Sequence, residues 1–469
     1  MLNLSAGLGK TLIPLAFFLC LLGVIQVLFM AFPSAIWSVF ALAIFGVYVC
    51  TLAKFTPVSF LLLLPYIFFR ATTLLSGVAI ESGGYMEDFE TQGKATGAYI
   101  RLTAVYLIFI SFGATIIEWG FNYLRSKSED LLLIRERTQR HPWVWGFYAI
   151  FIIFSLYVIM IGLTEGFPFL TSADRLGFRD VGGRGYIFYM TNRMLAAYLF
   201  GIIIFLCSGT RRFMAIMLLI SMIIISILFG EKFTSLILIA MYVVTPAYLM
   251  NKSLQGSILH HLIPAIGAVA VLTLPVILMV YGWSDRPQDA LEKLSTRMVG
   301  QGEVWFIADR DTDDAFIFEG KSINHILVST ISPKADEMAL EPPFMGVMYF
   351  MNNYMTPGML SLFLERPALT LTFGFEPYLL VVFGWIGMIL PLCFYAGVYA
   401  AGLLYLAWGI QKARPISIFI AGKLLIWMVV GLAQGYLFMI FGFKLLIMAG
   451  AAFLYELISS ILSQKRNGN

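Results

Sequence analysis

Charge is scarce in this chain. Asp, Glu, Lys and Arg make up 12% of its 469 residues, against 60% hydrophobic residues. A soluble protein of this length needs far more charge to cover its surface, so the composition, with a mean hydropathy of +0.86, points to a polytopic membrane protein. The net charge is only +4 and no long basic block occurs, so nucleic acid is not an expected partner. Cysteine is scarce as well. Cys20, Cys50, Cys207 and Cys393 all lie in apolar runs without CxxC spacing, which argues against a disulfide framework or a cysteine metal site. Of four histidines, His141, His260 and His261 fall on the expected cytoplasmic side, leaving His325. The first apolar run lacks a small-residue cleavage site and is too long for a signal h-region, so a retained helix is expected there. No fixed-period repeat is visible.

What the chain has in quantity is apolar sequence. A crossing needs about 20 such residues. Twelve runs qualify: 11–32, 34–53, 55–79, 99–124, 143–163, 191–208, 213–229, 233–250, 261–282, 377–410, 415–436 and 438–461. With the N-terminus inside, Lys10, Lys54, Arg125, Lys127, Arg135, Arg137, Arg140, Arg211, Arg212, Lys252, Lys412, Arg414, Lys465 and Arg466 all fall on one face, so both termini are expected in the cytoplasm. The reading is all-α. It places nine spans in 1–282, an outer Arg/Gly-rich loop at 164–190, a large outer loop at 283–376 and three spans in 377–469. The run 377–410 exceeds one crossing and contains Gly384, Gly387 and Pro391, which predicts a kinked helix or a helix plus a re-entrant piece.

The large loop holds fourteen acidic residues against seven basic ones, with apolar runs able to form short helices. Its front carries Arg286, Arg297, Glu303, Asp309, Asp311, Asp313 and Asp314. The acidic run lacks the glycine and terminal glutamate of a calcium-binding EF-hand, so no metal is expected. Glu303, Asp309 and His325 are the candidate general bases. Trp305, Phe306, Tyr349, Phe350 and Tyr354 suit either sugar stacking or helices lying on the bilayer. The segment 171–193 interleaves Arg175, Arg179, Arg184 and Arg193 with Gly177, Gly182, Gly183 and Gly185. Guanidinium forks pair with phosphate oxygens and glycine lets backbone N–H groups approach them, so an anion site is expected there. For any one of these arginines, a salt bridge is the commoner fate. Lys232, in the short turn Gly230–Phe233, would reach a phosphate at the membrane surface, or simply mark a turn. Arg70 lies inside a span, where a charge costs about 2.5–3.5 kcal/mol, so it needs a polar cavity or a partner. Arg101 and Lys444 sit near the outer ends of theirs.

An outward Arg/Gly loop, a tight cationic turn and one large outer loop before the last three spans together resemble the O-antigen polymerases, or oligosaccharide repeat unit polymerases, of the Wzy type. The O-antigen ligases are relatives of these. The resemblance covers nearly the whole chain and is mainly architectural. An Arg-x10-Gly pattern goes with that family; here Gly185 follows Arg175 one residue early, and Arg297 stands where glycine would follow Arg286. The turn Gly230-Glu231-Lys232 looks like the cationic turn of the relatives. The resemblance implies a GT-C-like scaffold and a metal- and cofactor-independent inverting glycosyltransferase at the periplasmic face of a bacterial inner membrane. Donor and acceptor would both be undecaprenyl-diphosphate-linked oligosaccharides, with membrane lipids and a chain-length regulator protein as further partners. Arg70, Arg175, Arg179, Arg184, Lys232 and Arg286 would bind diphosphate, and Glu303, Asp309, His325 and Arg297 would be catalytic.

A lipid-linked polysaccharide ligase would share the scaffold and donor and differ in acceptor. A transporter or flippase predicts inverted repeats, which this sequence lacks. A sensor or scaffold leaves the outward arginines without a role.

Overall fold

The computed structural model describes residues 4–126, 131–171, 182–230, 233–261, 298–312, 344–365 and 374–467, with a few single positions between them. These residues are almost wholly helical. In chain order, and leaving out four-residue turns, they form α1 (Leu4–Ala31), α2 (Ile36–Phe55), α3 (Pro57–Glu81), the strands β1 (Tyr85–Met86) and β2 (Thr91–Gln92), and α4 (Ala98–Ser126). Next come α5 (Leu131–Arg140), α6 (Trp143–Glu165), α7 (Gly183–Leu206), α8 (Gly209–Leu228) and α9 (Phe233–Met250). The remainder are α10 (Glu303–Asp311), α11 (Val347–Tyr354), α12 (Pro357–Glu365), α13 (Glu376–Gly387), α14 (Ile389–Gln411), α15 (Pro415–Gln434) and α16 (Phe443–Asn467).

Among the described residues, ten helices are long and apolar enough to cross a membrane. They are α1–α4, α6–α8 and α14–α16, and they make this a multi-pass membrane protein. Two of the twelve expected spans take a different form, and a third, 261–282, lies outside the described residues. In α9 the apolar stretch is the shorter Ser235–Met250, and the run 377–410 divides into α13 and α14. The division is a backbone event: Gly384 takes φ 67° and ψ 178°, a conformation that side chains other than glycine's disfavour. Proline opens α3 and α15, where its missing N–H costs no hydrogen bond. The short antiparallel hairpin, Tyr85 opposite Gln92 and Met86 opposite Thr91, was not expected of an all-α chain.

The helices group into two compact units that cut across the sequential division expected from the spans. The first holds residues 1–120, 292–404 and 420–469; the second holds 121–291 and 405–419. In the first unit, a Cβ on Gly77 would stand 2.0 Å from the Tyr99 ring, so α3 and α4 meet with that ring laid on bare backbone. α10 docks into the same unit with Val304, Trp305, Phe306, Ile307 and Ala308 all buried. Trp305, Phe306 and Phe350 are therefore core residues, which removes them as sugar-stacking surfaces. The second unit is built on aromatic packing of α6, α7, α8 and α9, including Tyr148, Phe151, Tyr189, Phe200 and Phe229. At Gly201 a Cβ would meet the Val243 carbonyl at 2.2 Å, so α7 and α9 touch through backbone, beside the stacked rings of Tyr198 and Tyr242.

Candidate functional site

Three polar clusters form in the first unit, and all draw on residues far apart in sequence. In the first, Arg70 of α3 donates from Nη2 to Glu376 Oε2 at 2.7 Å, while Tyr66 donates to Glu376 Oε1 at 2.6 Å. The guanidinium also lies over the rings of Tyr66 and Tyr106, 4.8 and 5.4 Å from their centroids. Burying a charge this deeply demands a paired, hydrogen-bonded partner, and Glu376 is that partner. The arrangement depends on Gly374, whose φ is +97° and whose absent Cβ would stand 2.6 Å from Arg70 Nη1. Arg70 thus has its charge compensated inside the protein.

In the second cluster, Arg101 of α4 grips Asp309 of α10 through two parallel bonds, Nε to Oδ1 at 2.8 Å and Nη2 to Oδ2 at 2.5 Å. Its Nη2 also donates to the Thr96 carbonyl at 3.1 Å. With both oxygens held in a bidentate fork, Asp309 serves as an anchor for α10 rather than as a proton acceptor. Further bonds fix the same helix: Trp305 Nε1 donates to the Ala98 carbonyl at 2.8 Å, Tyr99 to the Gly302 carbonyl at 2.9 Å, and Ser76 to the Val299 carbonyl at 2.5 Å. Gly302 is needed here, because a Cβ would lie 2.7 Å from Ser76 Oγ.

The third cluster centres on Glu303, in the first turn of α10. Its side chain is buried, at 1% exposure, and Oε2 has no hydrogen-bond partner. The carboxyl accepts from the backbone N–H groups of Asp88 and Glu87, in the turn between β1 and β2. Burial, then the negative charges of Asp88 and Glu87, push its pKa up from 4.5 to about 8. Asp88 is itself pushed up to about 6 by burial and by Glu87. A desolvated carboxyl tuned near neutrality is able to take and return a proton.

The other expected site residues distribute as follows. Arg184 is described and exposed, at the second position of α7. The glycines around it serve packing and backbone shape: Gly183 has φ +59°, and a Cβ on Gly185 would stand 2.5 Å from the Tyr157 ring. Arg193, expected in an outward loop, sits within α7, buried, and donates to Ser235 Oγ at 3.3 Å. Arg175, Arg179, Lys232, Arg286, Arg297 and His325 lie outside the described residues. Of the ten nominated residues, Glu303, Asp309 and Arg70 fall in one compact unit. Asp88, Arg101 and Glu376 were not nominated. No local pattern marks them, because each gains its role from a partner about two hundred or more positions away.

Residues 344–449 match the model of DUF6418, a family of unknown function. The match takes in Gly374, the Gly384 break and Glu376, and leaves out Arg70, Arg101 and Glu303. No curated protein and no solved structure matches the chain.

Proposed function

We propose that this protein is a membrane glycosyltransferase that polymerises undecaprenyl-diphosphate-linked oligosaccharide repeat units into O-antigen or a related surface polysaccharide. It acts at the periplasmic face of a bacterial inner membrane. The observation that carries this reading is Glu303, a buried carboxyl with a raised pKa on a helix that an otherwise polar segment inserts among the spans. The reaction needs such a group. The acceptor hydroxyl gives its proton to Glu303 in its ionised form, the minor fraction at neutral pH given a pKa of about 8, as its oxygen attacks the donor's anomeric carbon. The bond from that carbon to the diphosphate oxygen breaks with inversion, and the electron pair leaves with the diphosphate. Cationic groups must stabilise the departing charge, and Arg70 does not supply one, since it is already paired with Glu376. The turn of the hairpin 85–92 holds the Glu303 carboxyl through the backbone N–H groups of Glu87 and Asp88.

The test is polymerisation of lipid-linked repeat units by the purified full-length protein in nanodiscs, without added divalent metal. A ladder of lengthening products is expected, with Glu303→Gln slowing it by about 100-fold or more. An unchanged ladder from Glu303→Gln would remove the base. Transfer to a lipid A core acceptor and not to a second repeat unit would make the protein a ligase.

A further inference from the structure

Beside the buried part of α10 is a half-exposed patch to which the transfer chemistry assigns no role. Tyr349 and Tyr354 of α11 stand edge to face, with ring centroids 6.3 Å apart, and are backed by buried neighbours. Phe350 stacks on Tyr354 at 5.9 Å, and Tyr378 supports Tyr349 at 5.9 Å. Against them lies the end of α10, where Arg310 donates from Nε and Nη2 to the two oxygens of Asp311 at 2.6 and 3.2 Å. Arg310 and Asp311 both act electrostatically on the Tyr354 hydroxyl, so the ion pair and the tyrosines share one surface. Both members of the pair are exposed, with side chains 38% and 31% accessible.

The chemistry of this surface is selective. The ion pair is neutral overall, so it offers little to a phosphate or a metal cation. It does present spare guanidinium donors and carboxylate lone pairs a few ångströms apart, which suits hydroxyl groups that donate and accept at once. The tyrosines add rigid flat faces that bury C–H surface while their hydroxyls stay polar. Apolar faces flanked by paired donors and acceptors describe a saccharide. We propose that Tyr349, Tyr354, Arg310 and Asp311 form a saccharide-binding shelf. Asp311 lies eight residues from Glu303, about 12 Å along the helix, so the shelf grips sugars next to the reacting one. That last placement, on the acceptor chain, rests on the proposed transfer reaction; sugar binding itself does not.

The experiment presents full-length protein in nanodiscs to an array of bacterial surface-polysaccharide fragments. Wild-type protein is expected to bind at least one fragment. Tyr354→Ala and Asp311→Ala should weaken that binding tenfold or more, whereas Tyr354→Phe and Glu303→Gln should retain it. Asp311→Ala alters an exposed side chain and keeps the test open if Tyr354→Ala fails to fold. Absence of binding to every fragment, or binding that neither alanine variant changes, overturns the shelf. Polymerisation without fragment binding leaves the reaction standing and the shelf refuted; fragment binding without polymerisation does the reverse.

Discussion

Glu303 sets the protein's most direct pH dependence. Its folded-state pKa of about 8 lies above the ordinary 4.5, so the folded chain keeps a proton that the unfolded chain has already lost. Stability therefore falls as pH rises through that window and levels off on either side. Thermal unfolding in detergent should show a midpoint that drops between those two pH values, and Glu303→Gln, which mimics the protonated form, should flatten the slope. An equal slope in both proteins would mean that Glu303 is ionised when folded. The Arg70–Glu376 pair makes a second case. Truncating either partner leaves a buried charge alone and should cost about 3–5 kcal/mol. Replacing both by methionine should recover most of that loss, and unfolding midpoints of the two singles and the double would decide it. The sequence marked Arg70 as a charge in need of a partner. It did not mark Glu376, 306 residues away at the start of an apolar run. Glu303 was legible as one acid among several in a polar segment; its burial was not, because burial is a property of what packs around it.

At the scale of elements, glycines decide where helices can meet. Gly77→Ala should force apart α3 and α4 at the Tyr99 ring, and Gly374→Ala should push a methyl into the Arg70 guanidinium at a backbone angle unsuited to it. Each should lower stability by about 1–3 kcal/mol or more, measured as detergent-solubilised yield and unfolding midpoint. Gly450→Ala, with open space around it, should be silent by the same measures. Most of the helices were legible, since apolar runs near the length of a bilayer admit few alternatives. The split of 377–410 was half legible: Gly384 was visible, but its positive φ is imposed by tertiary packing. The hairpin escaped notice because two-residue strands carry no readable alternation, and Glu87, Asp88 and Glu90 look like an ordinary polar turn.

For the molecule as a whole, sidedness is the assumption that the proposed chemistry needs most. Membrane-impermeant thiol labelling of single-cysteine variants at Glu87 and Asp311 should report both from the periplasmic side, and labelling from the cytoplasm would deny the proposed reaction its substrate. In cells, Arg175→Ala, Arg179→Ala and Arg184→Ala should each shorten the surface polysaccharide; normal ladders from all three would remove the proposed anion site. The apolar composition alone revealed a membrane protein. The two compact units were not visible in the order of spans, because the first is assembled from three separated stretches of chain.

The bond from the Trp305 indole to the Ala98 carbonyl joins residues 207 positions apart, and this dictates a sequence of events during synthesis. At ribosomal speed the interval between the two amounts to roughly 10–40 s. Throughout it, the berth lined by Ser76, Ala98 and Tyr99 waits without its tenant. A chain arrested in that interval leaves the Ser76 and Tyr99 hydroxyls without the carbonyls of Val299 and Gly302 that accept from them in the finished fold.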